Sequence, residues 1–193
     1  MGDERELVAR LQAGDEDAFR TLVMMYQARL LRLAQTVVSS RSVAEEVVQD
    51  TWLAVVRGVE RFEGRSSFKT WLYRILLNRA RSTAGREPRA ASLSDVDVEE
   101  RFDHAGAWSP PPVPWADEVD ERIVADRLAR RVRELLPGLP DTQRQVVVLR
   151  DIEGVTPAEV TEMLGVTDGH QRVLLHRARA RIRQELATEM SAS

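Results

Sequence analysis

The chain has 193 residues, which is enough for one ordinary domain or two small ones. Apolar residues make up 43% of it and charged residues 31%, a composition typical of a globular protein. The absence of cysteine excludes disulfides, thiolate metal sites and cysteine nucleophiles. No apolar run approaches the roughly 18 residues of a membrane span, and the N-terminus leads into no apolar signal core. We therefore expect a soluble, cytoplasmic protein with no membrane insertion.

The net charge of −3 hides a separation of charge along the chain. Residues 92–121 hold nine acids and one base, a net charge of −8, so the remainder carries +5. All but one of the 28 basic residues are arginine, which favours bidentate contacts with phosphate or guanine. The codon usage of the genome explains the arginine excess more simply. The segregation of charge, however, makes nucleic acid a partner worth testing.

Residues 1–86 have the apolar periodicity of a helical bundle. Apolar side chains at helical spacing between Phe19 and Val37 predict one long helix with a buried face. A capping-box pattern that begins at Ser42 predicts a second helix, which runs to about Phe62. The predicted core face of this second helix consists of Val48, Trp52, Val55, Val56 and Val59.

The opposite face of the second helix is polar, with one exception. Leu53 is apolar among charged and polar neighbours. It is either a stray surface leucine, which is common, or part of a contact face for another protein, and the periodicity leaves both interpretations open. The whole face consists of Glu46, Gln49, Asp50, Leu53 and Arg57.

A polar Gly/Ser loop at residues 63–67 precedes a third helix, which we predict from about Phe68 to Thr83. Bases and aromatics beside such a loop suit single-stranded DNA, because flipped bases stack on rings while arginine holds the backbone. The simpler alternative, which we favour for Trp71, is that the rings belong to the core. The predicted core stripe is Phe68, Trp71, Leu72 and Ile75. The face pointing the other way carries Thr70, Arg74, Asn78 and Arg81.

Residues 87–120 have no usable periodicity and contain a proline-rich run at 109–114. A structureless stretch of this length favours two domains over one. We therefore predict an all-α protein with two small helical domains, at residues 1–86 and 121–193, joined by a long acidic linker at 87–120. Trp108 and Trp115 in the linker are either docking residues or exposed linker residues.

The C-terminal domain carries the strongest local pattern. Val146-Val147-Val148 favours a strand by propensity, but we predict helix because the run is short and lies between helical patterns. The segment 156–159 (TPAE) has a threonine cap, a proline at the first helical position and a glutamate at the third, which is a sharp helix start. A tight turn at Gly165 and a second helix from about Asp168 complete the spacing of a helix-turn-helix.

The second helix of this motif has a packed side and a wide basic side. A basic recognition helix reads base edges with its N-terminal residues and meets phosphates farther along. Arg172 is the best candidate for a base contact, and Val173 or Leu174 for contact with a thymine methyl group. The alternative is an amphipathic helix with a solvated arginine face. The predicted packed side consists of Gln171, Leu175, Ala178 and Ile182.

Both halves resemble one family, the extracytoplasmic-function sigma factors of bacterial RNA polymerase, in the sigma-70 family. The resemblance covers about 150 residues, in order, on both sides of the linker. The N-terminal half carries it in residues 44–52 (AEEVVQDTW), 62–64 (FEG), 68–75 (FKTWLYRI) and Asn78. The C-terminal half carries it in residues 139–140 (LP), 145–150 (QVVVLR), 159–160 (EV), 164–166 (LGV) and 177–179 (RAR).

The resemblance implies a protein that binds core polymerase, recognises promoter −35 and −10 elements and starts transcription. The implied partners are the β′ clamp helices and β subunit of the polymerase, promoter DNA and an anti-sigma factor. The implied polymerase-binding residues are Glu46, Gln49, Asp50, Leu53 and Arg57. The −10 set is Phe62, Arg65, Ser66, Ser67, Phe68, Lys69, Arg74, Asn78 and Arg81. The −35 set is His170, Arg172, Val173, Leu174, His176, Arg177, Arg179 and Arg183.

Three other function classes remain as alternatives, and one of them, a purely structural helical bundle, leaves the C-terminal arginine face unexplained. A stand-alone helix-turn-helix regulator explains residues 156–183 but leaves 42–81 unexplained. An enzyme is disfavoured because the histidines lack any nucleophile or metal-ligand spacing, so we expect no catalytic residue, metal or cofactor. One departure from the family concerns Gln171, which stands where a β-branched apolar residue is usual. We also expect the acidic linker to oppose DNA binding by the free chain.

Overall fold

The structure is a computed structural model, and it describes residues 2–85 and 129–192. All regular elements within these two ranges are helical, which confirms the predicted all-α class. The predicted linker at 87–120, with Trp108 and Trp115, lies outside the described residues. The domain boundaries therefore stay a prediction.

The first range folds as a bundle of four helices. They are α1 (Gly2–Gln12), α2 (Glu16–Ala34), α3 (Arg41–Gly58) and α4 (Phe68–Ala84), and a 3-10 turn at Val59–Arg61 extends α3. The longer helices begin at side-chain caps. Asp15 accepts the backbone N–H groups of Asp17 and Ala18, and Ser67 accepts that of Thr70 at 3.0 Å.

Three boundary and core predictions in this bundle are wrong. Ser40, not Ser42, caps α3 by accepting the N–H of Val43 at 3.2 Å. The α-helix α2 ends at Ala34, so Val37 lies beyond it. Val56, predicted in the core of α3, is 51% exposed, because the buried face is rotated towards Ala44, Val47 and Thr51.

The second range folds around the helix-turn-helix. It contains α5 (129–135), a 3-10 turn at Leu136–Gly138, α6 (Asp141–Val147), a π-helical turn at Val148–Ile152, α7 (Pro157–Leu164) and α8 (Asp168–Ala192). The helical prediction for Val146–Val148 is confirmed. These valines and Leu149 are buried in the core of the domain, against residues of α7 and α8.

Each range has buried apolar residues of its own, and polar contacts join the two. Leu22, Leu30, Leu72 and Leu76 are fully buried in the first bundle, whereas Val160 and Ala178 are fully buried in the second. The joining contacts run between α4 and the stretch 153–162, and between Thr36 and α6.

We predict that Leu72→Ala destabilises the first bundle by about 2–5 kcal/mol, because the substitution opens a cavity at a fully buried position. The matched control is Leu53→Ala, which deletes the same atoms at a site that is 53% exposed and should shift stability by about 0.5 kcal/mol or less. Urea unfolding followed by circular dichroism measures both. Equal losses for the two variants would contradict this assignment of the core.

Candidate nucleic-acid interface

The recognition helix begins at a turn that the sequence encodes directly. Gly165 ends α7 with a φ of 68°, in the left-handed region that glycine adopts without strain. Thr156 and Glu159 form the predicted capping box at the other end of α7. The hydroxyl of Thr167 then accepts the N–H of His170 at 3.2 Å, which supports the first turn of α8. The helix-turn-helix is therefore confirmed.

The first two turns of α8 present a polar and basic face. His170, Arg172 and His176 are exposed, and Val173 is 38% exposed beside them. Arg172 donates to Asp168 at 2.5 Å across one turn of the helix. Leu174 corrects the sequence prediction, since only 3% of it is exposed and its side chain packs in the core. A base contact by Leu174 is excluded in this arrangement.

The arginines farther along α8 already have partners in the protein. Arg179 makes two hydrogen bonds to the carboxylate of Asp151, at 2.8 and 2.6 Å, and this pair ties α8 to the π-helical turn. Arg183 donates to the carbonyl of Arg179 at 3.2 Å. Arg177 is half-buried and also partnered. These three arginines therefore make contacts within the protein, which a freely solvated arginine face would not make.

Gln171 lies on the packed side of α8, as the helical wheel predicts. Only 2% of it is exposed, and the rest of the predicted packed side is buried with it. A buried amide in an apolar core carries a desolvation cost that the usual β-branched residue would avoid. The helix is nevertheless not rotated out of register, because Leu175, Ala178 and Ile182 all face the core.

The Gly/Ser loop forms one wall of an open cavity of about 960 Å³. Gly64 has a φ of 71°, which allows the sharp reversal of the chain after Phe62. Gln12 on α1 donates to the carbonyls of Val59 and Phe62, at 2.9 Å each, and so anchors the start of the loop. Arg65 is exposed and paired with Glu63. The opposite walls come from α1, from α2 and from residues 154–159 of the second bundle.

The aromatic residues near the cavity are packed against each other. The rings of Phe62 and Trp71 lie 5.0 Å apart between centroids, and Phe68 lies 6.0 Å from Phe62 and 5.8 Å from Trp71. Phe68 is 3% exposed, which confirms its place in the predicted core stripe, and it also lies in the lining of the cavity, so its role as a DNA contact stays a prediction. Phe62 is partly buried and remains at the rim.

The basic face predicted for α4 is divided between solvent and the second bundle. Asn78 and Arg81 are exposed. Lys69 instead donates to the carbonyl of Glu153 at 2.8 Å, and Arg74 pairs with Glu162. Ser67 caps α4, and Ser66 donates to the carbonyl of Ser67 at 3.3 Å. The structure therefore brings six of the nine predicted −10 residues to the lining of one cavity: Phe62, Arg65, Ser66, Ser67, Phe68 and Lys69. Arg74, Asn78 and Arg81 lie farther along α4, outside that lining.

Thr70, which was predicted on the outward face, is only 1% exposed. Its hydroxyl donates to Glu159 at 2.7 Å. The periodicity of α4 did not reveal this contact, because the covering surface belongs to another part of the chain.

The outer face of α3 exposes two large apolar side chains. Leu53 is 53% and Val56 51% exposed, among the exposed polar residues Glu46, Gln49, Asp50 and Arg57. Asp50 also lies 3.7 Å from Arg79 of α4. Sequence reasoning missed Val56 because helical spacing placed it with the core valines.

Helix α2 also exposes an apolar side chain. The indole N–H of Trp52 donates to Gln27 of α2 at 2.8 Å, which joins the two helices on their outer side. Met24, one turn before Gln27, is 79% exposed. We call Met24, Leu53 and Val56 the outer apolar patch. Three exposed apolar side chains on α2 and α3 favour a protein contact over a single stray leucine.

Two negative findings apply to the described ranges 2–85 and 129–192 only. They contain no group of three or more histidines and acids placed to hold a metal ion. No helix within them is both long and apolar enough to cross a membrane.

Comparison with known proteins assigns both bundles. Residues 22–89 match the family model for sigma-70 region 2, and residues 129–182 match the model for sigma-70 region 4. The chain is 32% identical over 181 residues to the ECF RNA polymerase sigma-E factor of Escherichia coli strain K12, covering 93% of this chain and 92% of that one. This chain belongs to the extracytoplasmic-function sigma factors of the sigma-70 family. It is an RNA polymerase sigma factor, and the family is not one of catalytic enzymes.

Further relatives of this sigma factor agree over nearly its whole length. The sigma-E factor of Haemophilus influenzae is 29% identical over 183 residues, which is 95% of each chain. Among solved structures, CnrH in complex with the cytosolic domain of CnrY matches with a TM-score of 0.59 and 25% identity, covering 96% of this chain and 97% of that one. The sigma factor RpoE from Bartonella quintana, solved with the anti-sigma factor NepR, has the same fold, with a TM-score of 0.58 and 24% identity over 88% of this chain and 96% of that one.

Glu159 provides a pH-dependent contribution to stability. Burial acts to raise its pKa, but hydrogen bonds from Thr156 and Thr70 oppose this effect, and the net pKa of the carboxyl lies below its ordinary value. A lowered folded-state pKa stabilises the protein above the unfolded pKa of about 4.3, and the contribution is lost as the pH falls through the folded value.

We therefore predict that Glu159→Gln lowers the free energy of unfolding at pH 7, and that the difference from wild type shrinks as the pH is lowered through about 4. Urea unfolding at a series of pH values measures this difference. Glu185→Gln, on an exposed part of α8, is the control. A difference between wild type and Glu159→Gln that stays constant with pH would contradict the assignment.

Proposed function

We propose that this sigma factor docks on core RNA polymerase through the outer face of α3, reads single-stranded −10 DNA at the cavity beside α4, and reads the −35 duplex with α8. The observation that carries the proposal is the outer apolar patch beside the polar residues Glu46, Gln49, Asp50 and Arg57. A stand-alone DNA-binding regulator has no need of such a patch on the domain opposite its helix-turn-helix. The proposed polymerase contacts are the β′ clamp helices for this face and the β subunit for the C-terminal domain.

Physical chemistry supports a docking role for the patch. Leu53 and Val56 each leave about half of their surface in water, and burial of that apolar area against a partner is favourable. The surrounding charged residues form a polar rim, which is the usual anatomy of a protein interface. Asp50 and Arg57 then supply orientation and specificity more than affinity.

The proposed −10 site combines a cavity with a cationic edge. A cavity of about 960 Å³ has room for an unstacked base, and the loop from Phe62 to Ser67 lines it. Phe62 and Lys69 line the cavity, so Phe62 would offer a ring for stacking and Lys69 a charge for the backbone. Arg74 and Arg81, farther along α4, would extend this cationic edge. Asn78 and Arg65, both exposed, offer further polar contacts along this edge.

The proposed −35 site is the exposed N-terminal half of α8. Arg172 is the candidate for bidentate contact with a guanine, and Val173 for contact with a thymine methyl group. His170 and His176 flank them, and Arg177, Arg179 and Arg183 lie nearer the phosphates. Asp151 holds Arg179 in place, which fixes the orientation of the helix for reading the groove.

Two coarser assignments follow from the proposed role. Because promoter DNA and core polymerase are its partners, we propose that the protein acts in the cytoplasm and performs no catalytic step of its own. We also propose an anti-sigma factor as a regulatory partner, since a similar sigma factor was solved with one.

We predict that Leu53→Asp weakens association with core polymerase by more than about tenfold, because it places a charge in an apolar contact. The matched control is Met25→Asp on α2. The side chain of Met25 is 44% exposed, and it lies about 200° around the helix axis from Gln27, away from the outer face. Fluorescence anisotropy of the labelled chain with purified core polymerase measures both. Equal binding by the two variants would contradict the assigned face.

We predict that Arg172→Ala reduces affinity for a preferred −35 duplex by about 1–3 kcal/mol and relaxes base preference at one position. Arg183→Ala should instead weaken binding evenly across sequences and reduce the salt slope by about 1, because it removes a phosphate contact. Binding to a duplex library, repeated at several salt concentrations, separates the two behaviours. Identical sequence profiles for both variants would contradict the assigned roles.

A further inference from the structure

The Gly/Ser loop starts at the end of a helix, where backbone carbonyls need donors from outside that helix. The 3-10 turn at Val59–Arg61 follows α3, and Phe62 leaves it with an extended backbone, at a φ of −74° and a ψ of 106°. The last carbonyls of a helix have no helical N–H group ahead of them. The carbonyl of Val59 accepts the N–H of Phe62 at 3.0 Å, which leaves it one further lone pair.

Gln12, the last residue of α1, supplies the missing donors from a distant part of the chain. Its side-chain nitrogen donates to the carbonyls of Val59 and Phe62, at 2.9 Å each, across 47 and 50 positions of sequence. The two hydrogens of one amide thus satisfy two carbonyls at the start of the loop. Gln12 precedes the residues 22–89 that match sigma-70 region 2, so this contact comes from outside the matched segment.

Helix α1 is a firm base for the contact. Leu7 and Leu11 are buried in the core of the first bundle. Next to Gln12, the guanidinium of Arg10 pairs with the carboxylate of Asp15 at 2.8 Å, and the backbone N–H of Asp15 donates to the Arg10 carbonyl at 3.0 Å. The core and this turn therefore fix the end of α1 from which the amide reaches the loop.

The loop is held at its two ends. Gln12 fixes the first end, and Ser67 fixes the second because it caps α4. Between these ends, Arg65 donates to the carboxylate of Glu63 at 2.6 Å, and Ser66 donates to the carbonyl of Ser67 at 3.3 Å. These bonds join neighbours within the loop and move with it, so they do not attach it to the bundle.

The position of the loop determines the shape of the cavity that we propose as the −10 site. Residues 62–67 form one wall of this cavity, and Gln12 lines it beside them. A binding site that is already in its bound conformation loses less conformational entropy when its ligand arrives. A loop that populates other conformations binds in proportion to its competent fraction, and it holds its contact groups less accurately.

We propose that Gln12 is a positioning residue for −10 recognition, which holds the loop in the conformation that receives an unstacked base and thereby sets the base preference at that one position. The inference rests on the proposed −10 site. Both hydrogens of the amide nitrogen are used on protein carbonyls, so Gln12 acts through the loop and not by donating to a base.

The state of the loop is measured first without DNA, by amide hydrogen exchange of the full chain with mass spectrometry. Gln12→Met removes both donors and keeps a side chain of similar length and helix propensity. We expect exchange in peptides covering residues 59–68 to become about three- to tenfold faster, with no change in the rest of the first bundle. Gln35→Met, exposed at the end of α2 and outside the lining of the cavity, is the control.

Base preference is then measured with holoenzyme assembled from bacterial core polymerase and each full-length variant. The template is a promoter library with every position of the −10 element randomised, and sequencing of the transcripts gives the preference at each position. We expect Gln12→Met to reduce the preference at one −10 position by about three- to tenfold, while the other positions and the −35 element keep theirs. A general loss of folded protein would lower all transcripts alike.

A variant that keeps the donors should rescue the preference. Gln12→Lys places an ammonium group, with three donors on a flexible stem, within reach of the same carbonyls. Because the added charge also attracts DNA, the control combines Gln12→Met with Ala13→Lys, which puts the same charge on the next exposed residue. We expect Gln12→Lys to retain the wild-type preference and the double variant to behave as Gln12→Met does. Circular dichroism checks that all variants are folded.

Three results would overturn the inference and leave the proposed −10 site intact. Unchanged loop exchange in Gln12→Met would show that the amide does not hold the loop. Faster exchange with an unchanged base preference would show that the anchored loop does not set selection. An equal loss at every −10 position would assign Gln12 to folding alone. An absence of any −10 preference in wild-type holoenzyme would instead refute the proposed site, and the role of Gln12 with it.

Discussion

The carboxylate of Glu153 is the point at which the two helical bundles meet. It comes from the C-terminal domain, yet its hydrogen-bonding and ionic partners, Tyr73 and Arg32, belong to the N-terminal domain. A buried carboxylate needs such partners, because desolvation of an unpaired charge is costly. The contact of α4 with residues 153–162 therefore rests on this buried group together with the contacts of Lys69, Thr70 and Arg74.

The buried apolar residues of the two bundles belong to one hydrophobic cluster, and polar contacts cross between the bundles beside it. Each bundle buries its own apolar residues, Leu72 and its neighbours in one and Val160 with Ala178 in the other. The contact between the bundles includes hydrogen bonds and ion pairs in addition to this apolar cluster. Such contacts exchange readily with water, phosphate or another protein. A sigma factor that must place two domains on separate promoter elements needs contacts between those domains that can be broken.

The sequence predicts the parts of the fold that repeat with the helical period. The helix-turn-helix, the capping box at Thr156 and the packed side of α8 are confirmed, because apolar spacing and turn residues encode them locally. Val56 was misplaced because a valine at core spacing looks the same whether the neighbouring helix covers it or not. Leu174 was misplaced for the opposite reason, since its motif position suggested exposure and packing buried it, whereas Phe68 is buried as the core stripe predicts.

The interdomain contact could not be predicted in the same way. Thr70 and Lys69 are single polar residues whose partners lie more than 80 positions away, and no periodicity links them. The residues of the proposed sites were found mainly through resemblance to the family, while the outer apolar patch was completed only when Met24 and Val56 proved exposed. Apolar periodicity and turn residues thus predict the helices, whereas packing between distant parts of the chain determines which helix faces stay exposed.

The most direct test of the account is promoter-dependent initiation. Sigma-free bacterial core polymerase is supplied with this protein and a library of promoter fragments, and transcript start sites are mapped by sequencing. The account predicts discrete start sites that require the protein and share two upstream sequence elements. Tight, specific duplex binding by the protein alone, with no start sites and no association with core polymerase, would contradict it and favour a stand-alone regulator.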